Sequence, residues 1–279
     1  MIHTSRQLKA LIRNMARGNS TKSQVIIRSY AMERFLERLS VSPYRDNIIL
    51  KGGILVSAMV GLENRSTMDI DATIKNLTLS EESAKRIVDD IANIHIGDGI
   101  TFEIKNVATI MDETEYPGIR VSLDTMLETM QTPLKIDFSS GDVITPREVS
   151  YSFKLLFENR AIPIMAYNLE TVLAEKLETL LSRSTANSRM RDFYDIYALE
   201  GTKSNSVDHA VLRAAFLNTS KNRGSTAIAA DMDTILCEIE NSPEMMALWE
   251  NYQRKFDYAA DTGWGIVMQS VRRMCGILR

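Results

Sequence analysis

The chain has 279 residues, of which 44% are hydrophobic, and it carries 33 Lys and Arg against 36 Asp and Glu. That length and apolar content predict a well-buried core and two domains, while the near balance of charge excludes a global basic field for nucleic acid. Two cysteines and three histidines, all isolated in the sequence, exclude a disulfide framework and a histidine-based zinc motif.

The segment from Ser5 to about Leu39 is predicted to be helical, because apolar side chains such as Leu8, Ile12 and Met15 recur at helical spacing. The segment 6–28 is markedly positive, which we interpret as a solvated helical face, with a local basic patch as the alternative. Neither this start nor any later stretch has the apolar run of a signal peptide or a membrane span. We therefore expect a cytoplasmic protein.

The next segments predict alternating strands and helices. "NIILKGG" (47–53) reads as a short strand that ends in a glycine turn, and the apolar run 54–62 reads as a helix packed behind it. "TMDIDATI" (67–74) is predicted to be the next strand. The segment 80–94 begins with a serine cap and acidic residues, which predicts a further helix.

A block rich in strands follows, and then the chain becomes almost wholly helical. The predicted strands show two-residue alternation between turn residues. They are "ITFEIKNVATIM" (100–111), "GIRVSLDTML" (118–127), "PLKIDFSSG" (133–141) and a pair around "SYSFKLLF" and "AIPIMAY". We predict an α+β fold, with a mixed β-sheet core and flanking helices in residues 1–166 and a helical domain in residues 167–279.

Two aspartates in the predicted strand 67–74 are the first candidate functional residues. Alternation along a strand places Asp69 and Asp71 on one face, where two carboxylates could bind one hard cation. Magnesium suits such a site because it takes few protein ligands and keeps positions for water and phosphates. If the strand containing Asp137 lies beside this one, three carboxylates converge and two magnesium ions could bind. The alternative is that these aspartates only mark strand ends or turns.

The glycines upstream of the aspartates predict a phosphate-binding turn. Gly52 and Gly53 end one strand and open a helix, where backbone N–H groups and the helix dipole can bind phosphate oxygens. Ser57 lies one turn into that helix, and Arg65 and Thr67 stand just before the aspartates. An anion site followed by a cation site is what a metal-bound nucleoside triphosphate requires.

Two charged residues fall on apolar stripes of predicted helices in the C-terminal half. Lys176 lies among leucines in "NLETVLAEKLETLL", and Asp192 shares a stripe with Ile196 and Leu199 in "SRMRDFYDIYAL". Lys176 either extends to the helix edge or meets a phosphate or an acidic partner. Asp192 forms a structural salt bridge, pairs with Lys176, or acts as a general base.

Four segments together resemble the AbiEii/AbiGii toxin family, a branch of the nucleotidyltransferase superfamily typified by DNA polymerase beta. The resemblance covers roughly residues 28–201, and only helical character extends it further. The segments are "KGG-x(11)-R-x-T-x-D-I-D" (51–71), "KIDFSSGD" (135–142), "LAEKLETLL" (173–181) and "RMRDFYDIYAL" (189–199).

The resemblance implies a nucleotidyltransferase-type sheet and a set of functional residues. Asp69 and Asp71 would be magnesium ligands, with Lys176 and Asp192 as catalytic residues of the helical half. The chain departs from the superfamily pattern at the turn, where superfamily members often carry Gly-Ser and this chain has Gly52-Gly53. The residues implied near the triphosphate are Gly52, Gly53, Ser57, Arg65 and Thr67.

The family consists of toxins of bacterial toxin–antitoxin and phage-defence systems, encoded beside an antitoxin with a winged-helix domain. Its members transfer a nucleoside monophosphate from an NTP, and the related MenT toxins modify tRNA acceptor ends. The resemblance therefore implies attack of an acceptor hydroxyl on the α-phosphate, with Asp137 or Asp192 taking the proton and Lys176 offsetting charge. We expect an RNA acceptor, with tRNA foremost. The alternatives are a protein hydroxyl as acceptor, or a non-catalytic regulatory protein that binds a nucleotide.

Overall fold

The computed structural model describes residues 2–110 and 118–279. Contacts between residues divide the chain into two compact units. The first contains Met1–Ala58, Ser66–Gly141 and Val149–Ala166, and the second contains Met59–Arg65, Asp142–Glu148 and Tyr167–Arg279. The second unit thus takes two short segments, 59–65 and 142–148, that lie before the division predicted at residue 166.

The first unit holds an α+β core. Its helices are α1 (Ser5–Ala16), α2 (Ser20–Ser40), α4 (Glu81–Ala92) and all but the last two residues of α3 (Gly52–Val60). Its strands are β1 (Ile48–Lys51), β2 (Ile70–Ile74), β3 (Ile100–Ile110), β4 (Gly118–Leu127), β5 (Met130–Ser140), β6 (Val149–Lys154) and β7 (Ala161–Ala166).

Seven strands of the described residues form one mixed sheet in the order β3-β4-β5-β2-β1-β7-β6. The pairs β1–β7 and β2–β5 are parallel, and the other neighbours are antiparallel. The central strands β1 and β2 are buried through their apolar residues, and Ile49, Leu50 and Ala72 have no exposed surface. The polar members of these two strands are Lys51, Asp71 and Thr73, so a carboxylate interrupts the apolar middle of the sheet.

The second unit is helical, as the sequence predicts. Asn168 caps its first helix by accepting a hydrogen bond from the Thr171 N–H at 2.7 Å. Leu173, Leu177 and Phe193 are wholly buried, so the first two helices present apolar stripes to the core. The helices are α5 (Leu169–Arg183), α6 (Met190–Lys203), α7 (His209–Asn222), α8 (Met232–Asn241), α9 (Pro243–Lys255) and α10 (Trp264–Ile277).

The predicted fold class is confirmed, and the differences concern element ends. The N-terminal helical pattern is broken after α1, where Arg17 and Gly18 adopt left-handed backbone angles with φ of 49° and 83°. The strand predicted over 67–74 begins only at Ile70, so Asp69 lies just before it. Met111, at the end of another predicted strand, lies outside the described residues. No helix in the described part of the chain is long and apolar enough to cross a membrane.

Candidate active site

The turn between β1 and α3 lies directly against Asp71 of β2. The Gly53 N–H donates a hydrogen bond to the Asp71 Oδ2 at 3.2 Å. Gly52 has a φ of +64°, and a Cβ at this position would lie 2.7 Å from the Cβ and Cγ of Asp71. Only glycine combines that backbone conformation with such a close approach. The two glycines therefore position a carboxylate, in addition to the phosphate-binding role that the sequence predicts for them.

Asp71 and Asp137 occupy facing positions on neighbouring parallel strands, since β2 pairs with β5 in the register Asp71–Asp137. Burial, together with the negative charges of Asp137 and Asp69, raises the pKa of Asp71 to about 6, although the Gly53 N–H and Lys51 act in the opposite direction. Lys51 faces Asp71 across the antiparallel pair of β1 and β2. We call Asp69, Asp71 and Asp137 the carboxylate group. The surroundings of this group do not fully offset its negative charge.

Arg120 of β4 holds Asp137 in a two-point ion pair. Its Nε donates to Oδ1 at 2.8 Å, and its Nη2 donates to Oδ2 at 2.6 Å. The side chains of Arg120 and Asp137 are 36% and 18% exposed, so the pair lies near solvent. Sequence reasoning did not identify Arg120. The β4–β5 hairpin could have indicated it, because a register that pairs Leu127 with Met130 also pairs Arg120 with Asp137.

The prediction of three converging carboxylates is met only in part. Strands β2 and β5 are neighbours, as that prediction required. However, residues 2–110 and 118–279 contain no group of three or more His, Cys, Asp and Glu side chains that could hold a metal ion. Asp137 does not complete such a group because both of its carboxylate oxygens accept hydrogen bonds from Arg120.

Asp69 and Asp71 nevertheless fit a magnesium ion. Both are half-buried, both offer the hard oxygen atoms that magnesium prefers, and magnesium is commonly bound by one or two carboxylates. The raised pKa of Asp71 shows that Lys51 and the Gly53 N–H do not fully offset the negative charge, and a bound cation would add positive charge there. The chemistry of this donor pair is therefore consistent with the predicted cation.

Lys176 and Asp192 meet in the second unit, as one of the sequence interpretations proposed. The Lys176 Nζ lies 2.7 Å from Asp192 Oδ1 and 2.7 Å from Asp195 Oδ2. Arg65 donates to Asp195 from Nε at 2.6 Å and from Nη2 at 3.2 Å. The Arg189 Nε lies 2.8 Å from the second oxygen of Asp192. We call these five residues the ion-pair cluster.

The ion-pair cluster is deeply buried and supplies its own counter-charges. The side chains of Asp192, Asp195 and Arg65 are between 0% and 3% exposed. Burial raises the pKa of Asp195, but Arg65 and Lys176 outweigh that effect and lower it to about 2. The pKa of Asp192 is likewise lowered, because Lys176 and Arg189 outweigh burial. A carboxylate held in its charged form in this way is a weak general base.

The remaining predicted nucleotide-binding residues separate into two places. Ser57 in α3 and Thr67 just before β2 are buried in the first unit, with 7% and 4% of their surfaces exposed. Arg65 belongs to the second unit, where the structure gives it Asp195 as a partner. Asp195 itself was missed as a site residue, although its position three residues after Asp192 on α6 places both carboxylates on one helix face.

Comparisons with known proteins agree with this fold. Residues 34–272 match the family described as "Nucleotidyl transferase AbiEii toxin, Type IV TA system". The chain is similar to MenT4, a nucleotidyltransferase toxin from Mycobacterium tuberculosis H37Rv, with a TM-score of 0.59 and 17% identity over 97% of this chain and 99% of that one. It is also similar to JHP933 from Helicobacter pylori, with a TM-score of 0.50 and 14% identity over 91% and 93% of the two chains. No curated protein matches the sequence significantly.

Proposed function

The chain belongs to the AbiEii nucleotidyl transferase toxin family of type IV toxin–antitoxin systems, and from this premise we propose that it transfers a nucleoside monophosphate from an NTP to an RNA hydroxyl. The proposed acceptor class is tRNA and the proposed metal is magnesium. The observation that carries this proposal is the carboxylate group beside the Gly52–Gly53 turn, where Asp71 lacks a sufficient counter-charge. Membership in a toxin–antitoxin family implies an antitoxin as a partner, and an NTP-dependent reaction on tRNA would take place in the cytoplasm.

The proposed reaction joins the acceptor to the α-phosphate. The acceptor oxygen forms a bond to the α-phosphorus, the bond from that phosphorus to the oxygen bridging to the β-phosphorus breaks, and pyrophosphate leaves. A bound magnesium ion would supply positive charge to the phosphates during this displacement. Asp69 and Asp71 would hold that ion, and Gly53 keeps the Asp71 carboxylate in place through its N–H.

The hydroxyl proton needs an acceptor, and we propose Asp137. It lies in register with Asp71 in the same unit and its side chain is 18% exposed, whereas Asp192 belongs to the second unit and is 3% exposed. Arg120 would orient the Asp137 carboxylate through its two hydrogen bonds. Within the second unit, Asp192 accepts a hydrogen bond from the Lys176 ammonium group at 2.7 Å and so orients it.

The test is incubation of the pure protein with magnesium, total deproteinised tRNA and each α-labelled NTP in turn. We expect label on RNA, and we expect Asp71→Asn to reduce the rate by at least about 10³-fold, because it removes a carboxylate from the metal site. The matched control is Asp231→Asn, an exposed aspartate of the chain's second Asp-x-Asp sequence, which should leave the rate unchanged. Label that appears only on protein in a lysate would transfer the proposal to a protein acceptor. Equal rates in Asp71→Asn and the parent protein would overturn it.

A further inference from the structure

The N-terminal segment of the first unit is far more basic than the rest of the chain. Residues 2–32 contain six of the 33 basic residues and none of the 36 acidic ones, so this segment carries +6 and the remainder −9. The overall charge of −3 conceals this asymmetry. A local concentration of one sign of charge is the electrostatic property by which a protein attracts a polyanion.

Four of the six basic residues form a line along α1. Arg6, Lys9 and Arg13 fall within an arc of about 60° on the helix, and Arg17 continues the line at the C-cap. All four are exposed, and we call them the basic stripe. They are spaced three or four residues apart, which is a rise of about 4.5–6 Å along the helix for each successive charge.

Local folding does not explain the basic stripe. None of its members makes an ion pair with the described residues, and the one electrostatic attraction between them and an acid is that of Lys9 for Glu128. Like charges three or four residues apart destabilise a helix by about 0.2–0.5 kcal/mol for each pair. Arg6 also lies at the positive end of the helix dipole, in a first turn that contains no acidic residue. Arg13 in the last turn and Arg17 at the C-cap do interact favourably with the dipole, so the electrostatics of α1 account for only part of the stripe.

The surroundings of the basic stripe decide which kind of anion fits it. A lipid surface would need the apolar face of α1, but Leu8 and Ile12 are 1% and 3% exposed and already packed in the protein. Protein interfaces are rich in aromatic residues and poor in lysine at their centres, whereas the rest of the exposed face of α1 offers Leu11 as its one large apolar side chain. A row of guanidinium and ammonium groups without an apolar centre suits a phosphate backbone.

We propose that the basic stripe on α1 is the docking surface for the phosphate backbone of the acceptor RNA. This inference rests on the proposed function, because it takes the partner to be the acceptor of that reaction. The stripe neutralises several consecutive phosphates and reads no bases, so it sets how tightly the RNA is held and leaves the choice of nucleotide to other residues.

The experiment measures binding of total deproteinised tRNA to the full chain by fluorescence anisotropy between 50 and 200 mM KCl. The stripe variant carries Arg6→Gln, Lys9→Gln, Arg13→Gln and Arg17→Asn, changes that keep helix-forming residues in α1 and a residue tolerant of left-handed angles at its end. We expect affinity at 100 mM KCl to fall by about 100-fold and the slope of log affinity against log salt to decrease by about 3–4. The matched control removes the same charge at exposed sites elsewhere: Lys85→Gln, Arg147→Gln, Lys154→Gln and Lys221→Gln.

Unchanged tRNA affinity and salt slope in the stripe variant, with a native circular dichroism spectrum, would overturn the inference. The inference would also be overturned if the stripe variant lost binding to vesicles containing phosphatidylserine, or to an acidic protein, while its tRNA affinity stayed unchanged. A different result would show that the proposed function is wrong while the docking surface is right: the parent protein would label no RNA, but its tRNA affinity would still depend on the stripe. If both proposals hold, the stripe variant shows a raised KM for tRNA and an unchanged kcat.

Discussion

The carboxylate group of the first unit and the ion-pair cluster of the second contain the same chemical groups in opposite electrostatic states. In the carboxylate group, burial and neighbouring negative charges raise the pKa of Asp71 to about 6. In the ion-pair cluster, three cations contact two buried aspartates, and Arg65 and Lys176 lower the pKa of Asp195 to about 2. Burial acts in the same direction in both places, so the difference comes from the counter-charges.

The comparison indicates which of the two regions is complete. The ion-pair cluster is balanced by its own arginines and lysine, and it is suited to holding helices and the Lys176 ammonium group in place. The carboxylate group has Lys51 facing Asp71 and Arg120 on Asp137, yet Asp71 still resists ionisation. A region that disfavours its own charge is the one that gains most from binding a cation. We therefore expect substitutions in the two regions to have opposite effects on stability.

The largest expected effect is in the ion-pair cluster. Asp195→Asn should lower the free energy of unfolding by about 3–5 kcal/mol, because it leaves the Arg65 guanidinium, 1% exposed, without its charged partner. Urea denaturation at pH 7 measures this change. Asp231→Asn, on an exposed turn, should remain within about 0.5 kcal/mol of the parent protein. A loss below about 1 kcal/mol for Asp195→Asn would show that the cluster does not support the fold.

A smaller effect of opposite sign is expected in the carboxylate group. The folded-state pKa of Asp71 is about 6, above the ordinary 3.8, so its contribution to stability is present below pH 4 and is lost as the pH rises through 6. In metal-free buffer at pH 8, Asp71→Asn should therefore be more stable than the parent by about 1–2 kcal/mol, allowing for partial exposure. At pH 4 the two proteins should unfold alike.

Urea denaturation of the two proteins from pH 4 to pH 8 measures this difference. The comparison isolates Asp71, because other shifted carboxyl groups, such as buried Glu33 with a pKa of about 8, are common to both proteins. If Asp71→Asn were less stable than the parent at pH 8, the carboxylate would be stabilised by its neighbours, and the contrast between the two regions would not hold.

Much of the fold could be predicted from the sequence because its elements carry local signals. Alternation of apolar and polar residues predicts the strand over 118–127, and the cap at Ser80 predicts the helix that follows it. Both elements are present in the structure. Asp71 and Asp137 could be singled out because an acidic residue inside an apolar strand is costly without a partner. The start of β2 was placed too early, since no glycine or proline marks the beginning of that strand.

The partners of the site residues were harder to predict because they come from distant parts of the chain. Arg65 meets Asp195 across 130 residues, and no local pattern records such a pairing. Arg120 belongs to a strand whose alternation is that of any half-buried strand, so only the register of the hairpin distinguishes it from the other polar residues of β4. Charge pairs are decided by tertiary packing, and a single sequence gives the candidates without their partners.

The measurement that tests the central claim most directly is titration of the metal-free protein with Mg²⁺ at pH 8 by calorimetry. We predict binding by the parent protein, a loss of affinity of at least about tenfold in Asp71→Asn, and no change in Asp231→Asn. Arg120→Gln should bind Mg²⁺ several-fold more tightly, because it removes a positive charge beside Asp137. Equal Mg²⁺ affinity in the parent protein and in Asp71→Asn would contradict the account, since the cation would then be held by residues outside the carboxylate group.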